Sequence, residues 1–158
     1  MKRFLVILAL LLPLNAWAGL DEGVNAYADG DYATALREFR ALADQGHVEG
    51  QYFVGLFNHN GYGIKRDAAE AHKWFMKAAN QGDARSQYYV GIMYAAGKGV
   101  TKDLPVANMW LLLSAANPNS NYRDSLYTKE EIVKLEKKMT PEQVAQSKDM
   151  AKNWKPQN

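Results

Sequence analysis

The chain has 158 residues, 47% of them hydrophobic and none of them cysteine. One globular domain is expected, while disulfides and thiolate metal sites are excluded. The formal charge of +2 comes from Lys2 and Arg3, and the remainder is balanced, which excludes the clustered basic face that nucleic-acid binding calls for.

At the N-terminus, Lys2 and Arg3 form a positive start, Phe4 to Leu12 an apolar run, and Ala16-Trp17-Ala18 an Ala-x-Ala signature. These are the three parts of a secretory signal peptide cut after Ala18. The apolar run is shorter than the roughly 20 residues a membrane span needs, which argues against an uncleaved anchor. With no cysteine present, lipid attachment at an N-terminal cysteine is also excluded. The expected setting is the bacterial periplasm, with residues 19–158 forming a single domain.

Residues 19–46 read as a divergent first repeat. Its first helix is expected from roughly Asp21 to Ala28, its turn at Asp29-Gly30-Asp31, and Phe39 anchors its second helix. Two units with a period of 36 follow, at 47–82 and 83–118. Gln51, Tyr52, Val54, Gly55, Gly61, Gly63, Asp67, Ala71, Trp74 and Ala79 return as Gln87, Tyr88, Val90, Gly91, Gly97, Gly99, Asp103, Ala107, Trp110 and Ala115. A period of this size marks a stacked array in which each unit contacts its neighbours. Each unit predicts two helices, Val48 to Asn60 with Ala68 to Gln81, then Asp83 to Ala96 with Leu104 to Asn117. Glycine past a helix end adopts the left-handed conformation that stops it, and Asp67 and Asp103 read as N-caps. Trp74 and Trp110 are expected to fill the space between the helix layers.

Downstream, residues 119–158 read as a C-terminal helical cap. Tyr122 to Met139 is helical in pattern, either one bent helix or two with a capping box at Thr128–Glu131. Thr140-Pro141-Glu142-Gln143 is a strong helix start. Val144, Met150 and Trp154 supply the apolar contacts of the last helix before a polar tail.

The run Gly-x-x-(Tyr)-x-x-Gly-x-Gly-(Val/Ile)-x-x-Asp-x-x-x-Ala-x-x-Trp-x-x-x-(Ala)-Ala, followed in both units of 47–118, resembles the Sel1-like repeat family. The resemblance implies an all-α fold, an α/α solenoid of tetratricopeptide-like helix pairs. Asn58 departs from the tyrosine that Tyr94 keeps, and Pro118 from the junction glycine that Gly46 and Gly82 supply. The Thr-Pro-Glu-Gln helix also resembles the ends of other members.

Catalytic constellations are poor, and no enzyme activity and no cofactor are expected. His47, His59 and His72 stand 12 and 13 residues apart, not at the i, i+4 spacing of a helical metal pair. The Gly-x-Gly turns join helices and do not follow a strand, so they are not phosphate cradles. The candidate binding residues are Phe53 and Phe57 on one first helix and their 36-residue equivalents Tyr89 and Met93. Under the fold that the resemblance implies, first helices line a concave face, and an aromatic stripe there is a plausible protein anchor. The alternative is that these side chains pack on the adjacent first helix. Tyr62, Ile64, Lys98 and Val100 in the interhelical loops form a second candidate surface. The expected function is a periplasmic module binding a protein or peptide of unknown identity. By resemblance alone, a narrower version is an immunity protein against a periplasm-acting toxin such as a lipase, and a third is a cell-wall-associated enzyme or peptidoglycan-binding protein.

Overall fold

The structure, a computed structural model, describes residues 14–157 with the exception of Asn121. Most of the expected signal sequence, residues 1–13, lies outside the described residues. Among the described residues the chain is all helical, with eight helices in sequence: α1 (Leu14–Ala28), α2 (Tyr32–Asp44), α3 (Val48–Asn60), α4 (Ala68–Asn80), α5 (Ala84–Ala96), α6 (Leu104–Ala116), α7 (Tyr122–Glu136) and α8 (Pro141–Asn153).

Local chemistry starts and stops these helices. Asp31, Asp67, Asp83 and Asp103 each accept a hydrogen bond from a backbone N–H three residues on, at 2.9–3.1 Å. These bonds satisfy donors that a helix N-terminus leaves free. Asp67 and Asp103 are therefore two separate caps. α3 and α5 stop at Gly61 and Gly97, both left-handed with φ of 77° and 68°, a conformation that a β-carbon disfavours.

Successive helices from α1 to α7 pack against one another, and the ring contacts between alternate helices define two layers. In the first layer, α1 meets α3 through the Tyr27 and Phe57 rings, α3 meets α5 through Tyr52 and Tyr89, and α5 touches α7. In the second layer Arg40 of α2 lies over Trp74 of α4, and Trp110 of α6 meets Trp154, the C-cap residue of α8, with centroids 5.9 Å apart. Trp74 and Trp110 are buried, at 6% and 4% exposure. Close approach within each pair depends on glycine. A β-carbon on Gly55 would stand 2.6 Å from the Phe75 ring, and one on Gly91 would stand 2.7 Å from Leu111.

A repeat-equivalent hydrogen bond ties each unit to the one before. Gln81 Nε2 donates to the carbonyl of Gly46 at 3.1 Å, and 36 residues on Asn117 Nδ2 donates to the carbonyl of Gly82 at 2.7 Å. Asn117 thus joins the third junction to the second although Pro118 stands at the glycine position.

One boundary departs from the sequence expectation, and of the two readings of Tyr122 to Met139 the structure takes the single helix. α1 begins at Leu14, not near Asp21, and so continues through the expected cleavage point between Ala18 and Gly19. No proline stands between Leu14 and Ala28, and Gly19 and Gly23 are accommodated within the helix. Tyr122–Glu136 is a single helix, and Thr128 is buried inside it at 1% exposure and does not cap a second one. The last helix does carry the expected capping box: Gln143 N donates to Thr140 Oγ1 and Thr140 N donates to Gln143 Oε1. α8 packs on α6, where Asn108 Nδ2 donates to Ser147 Oγ at 2.8 Å and Trp154 covers Trp110. Beyond α8, the N–H of Gln157 donates to the carbonyl of Asn80 at 2.8 Å.

Candidate functional site

A groove of about 740 Å³ opens where the N-terminal halves of α3 and α5 meet the α6–α7 turn and α7. That volume lies within the range of small-molecule and peptide-anchor sites. Val48, Glu49 and Tyr52 line it from α3, Arg85, Tyr88 and Tyr89 from α5, and Tyr127 from α7. Helical geometry puts them there. Glu49 and Tyr52, like Arg85 and Tyr88, are three residues apart and share a helix face. Because the helices stack, the two faces lie side by side.

The walls are aromatic and the charges are held in place. The Arg85 guanidinium sits 4.1 Å from the centre of the Tyr52 ring. It also donates to Asp83 Oδ1 through Nε and Nη2, at 3.0 and 2.9 Å. Asp83 in turn accepts from the Ser86 N–H and hydroxyl. Tyr88 is half-buried; burial raises its pKa, and Glu131 of α7 adds to the rise while Lys134 opposes it. Tyr127 is 58% exposed.

The four candidate residues from the sequence divide. Tyr89 lines the groove. Phe53 lies on the same layer but outside the groove, half-buried, with its ring flat on Phe39 at 4.2 Å. Phe57 and Met93 are corrected to core residues, with 0% and 1% exposure. They point between the helix layers, Phe57 into the cluster with Phe39 and Trp74, Met93 into that with Phe75 and Trp110. Four residues advance a helix slightly past one full turn, so Phe57 and Met93 lie just round the face from Phe53 and Tyr89, on its inward side. The residues that sequence reasoning missed are Tyr52, Arg85, Tyr88 and Tyr127. The available signal was the three-residue spacing of charge and tyrosine at 49–52 and 85–88.

The second candidate surface also changes character. Tyr62 and Ile64 pack on the core cluster around Phe57. Tyr62 stacks on Tyr32 at 5.2 Å and meets Tyr27 at 5.5 Å. The hydrogen bond between the Tyr27 and Tyr62 side chains, helped by burial, pushes the pKa of Tyr27 up to about 12. Lys98 stays exposed and Val100 is half-buried.

The histidines are dispersed. His59 packs edge-on to Tyr89 at 5.3 Å and His72 to Tyr94 at 5.2 Å. Burial lowers the pKa of both, with Lys98 and Arg66 adding to the effect at His59. Among the described residues no three His, Asp or Glu side chains gather as a metal-binding group, and no helix is long and apolar enough to cross a membrane.

The sequence matches the Sel1 repeat profile twice, over residues 48–83 and 84–119, one residue later than the windows read from the period. The fold superposes on solved structures of the same architecture. A protective antigen of uropathogenic Escherichia coli displaying an SLR fold is similar at a TM-score of 0.78 and 28% identity over 88% of this chain. The chain spans only 29% of that protein's length. A Sel1 repeat protein from Oxalobacter formigenes is similar at a TM-score of 0.63 and 26% identity, over 73% of this chain and 89% of the other. No curated protein matches the sequence. Residues 48–119 are a pair of Sel1-like repeats. Sel1-like repeats generally mediate protein–protein interaction and are typically non-catalytic. Within this Sel1-like protein the two profile matches cover α3 to α6, while α1 with α2 forms a divergent unit before them and α7 and α8 close the stack.

Proposed function

We propose that this Sel1-like protein is a periplasmic binding module that holds an extended segment of a partner protein in the groove between α3, α5 and α7. The observation that carries this reading is the groove itself: three successive first helices contribute tyrosines to one cavity of about 740 Å³. Repeat arrays use such continuous faces for binding. Tyrosine suits the task because it offers a large rigid surface with a polar tip. The periplasmic setting rests on the Lys2–Ala18 segment of the sequence.

Two experiments test it. Mass spectrometry of the protein from a periplasmic fraction is expected to find a chain starting at Gly19; recovery of the full-length chain from the cytosol alone contradicts the export reading. For binding, the tagged protein is used to capture partners from periplasmic extract. A specific partner is expected with the native groove and is lost with Tyr127→Ala combined with Tyr52→Ala, while circular dichroism stays native. Equal capture by the variant contradicts the groove as the binding face.

A further inference from the structure

Positions 49 and 85 are equivalent in the two repeats and both line the groove, yet they carry opposite charges, Glu49 and Arg85. Their surroundings also differ. Two residues before Arg85 stands Asp83, which holds the guanidinium at 2.9 Å and is itself largely buried, with its side chain 9% exposed. Two residues before Glu49 stands His47, whose side chain makes no capping bond to α3. The positive group of the groove is thus neutralised and fixed against the Tyr52 ring. On α7, Lys134 is likewise matched by Glu131 at 2.7 Å. Glu49 is exposed in the first turn of α3, and among the described residues no cation pairs with it. The described groups around the groove therefore leave one negative charge uncompensated beside an aromatic wall. That wall already holds one guanidinium by its π face, Arg85 over Tyr52, which shows that the geometry suits a cation.

Resting on the binding role proposed above, we infer that the groove takes a partner segment bearing a lysine or arginine, which meets Glu49, with apolar neighbours lying on Tyr52 and Tyr89. Charge complementarity of this kind selects among partners and sets the register of the bound segment. At the equivalent place in the next repeat stands Arg85, locked to Asp83, which offers no free carboxylate to a second cation, so the basic residue is expected at one fixed place in the segment.

A random dodecapeptide library displayed on phage and panned against the full chain tests this, followed by fluorescence anisotropy with one synthetic peptide from the enriched set. Enriched peptides are expected to share a single basic residue flanked by apolar ones. The synthetic peptide is expected to bind Glu49→Arg at least about fivefold more weakly than the native protein, with Glu49→Gln between the two. Circular dichroism checks that each variant is folded. Peptides with no basic residue, or affinities for Glu49→Arg within about twofold of native, overturn the inference; if Tyr127→Ala still weakens binding in that case, the groove reading stands without it. Binding unchanged in both Glu49→Arg and Tyr127→Ala, or no enrichment at all, overturns both.

Discussion

Tyr89 lies flat on Phe75, with ring centroids 4.6 Å apart and planes 4° from parallel. One repeat earlier Phe53 lies on Phe39 in the same way, at 4.2 Å and 9°. Each pair joins a first helix to the second helix before it, and each lower ring is fully buried. The upper rings therefore do two jobs, covering the core and facing outward. Truncating either is expected to cost about 2 kcal/mol of stability through lost stacking and burial, measured by urea unfolding. A Phe53→Ala or Tyr89→Ala protein as stable as the native one would show that these stacks contribute nothing.

The helix pairs are legible in the sequence because each unit repeats the same constraints at the same offsets. Glycine is needed at Gly61 and Gly97 to end a helix, aspartate at Asp67 and Asp103 to start one, and tryptophan at Trp74 and Trp110 to fill the interlayer space. The groove is less legible for the same reason. Tyr52 and Tyr88 recur identically, so their recurrence reads as packing, and only the stack shows that their faces meet beside Arg85 and Tyr127. The inward turn of Phe57 and Met93 was likewise hidden, since aromatic or apolar residues four apart fit an exposed stripe and a core stripe equally well. Tyr127 lies in a segment without the 36-residue pattern, where no repeat equivalent points to it.

Trp74 binds the second layer together. Its indole N–H donates to Glu70 Oε1 at 2.8 Å, and Lys77 Nζ lies 3.8 Å from its ring centre. Trp74→Ala is expected to cost roughly 3–5 kcal/mol, as for other buried large aromatics. That is a large share of the roughly 5–15 kcal/mol that stabilises a typical domain. Differential scanning calorimetry should record a fall in Tm of at least about 10 °C. A melt within a few degrees of native would contradict the registry of α4 against α2.

Gly91 sets the distance between α5 and α6. Its missing β-carbon would meet Leu111 at 2.7 Å and the Ala107 carbonyl oxygen at 3.1 Å. Gly91→Ala is expected to destabilise by about 1–3 kcal/mol, because overpacking outweighs the gain in helix propensity. Chemical denaturation measures it, and a stabilised variant would show that the two helices can separate freely.

His59 and His72 tie stability to pH. Burial lowers both pKa values, so the fold favours the neutral imidazoles. The unfolded chain then binds more protons than the folded one as pH falls through the ordinary histidine value, and stability drops there. Above that value the contribution is fully present. The carboxylates with lowered pKa, Asp31 and Glu142, act in a more acidic window. Tm is expected to fall between pH 7 and pH 5, and His72→Leu, which removes a buried Nε2 without a partner among the described residues, is expected to flatten that slope. An equal slope in the variant would place the pH dependence elsewhere.

The groove as the binding face is tested most directly by a photo-crosslinking amino acid placed at Tyr127, which is exposed at the groove, and separately at Lys73, which is exposed on α4 in the other layer. Both variants are expressed in cells, irradiated, and resolved by electrophoresis and mass spectrometry. A discrete cross-linked partner from position 127 and none from position 73 is the predicted result. The same partner cross-linked from position 73 and absent from position 127 would contradict it.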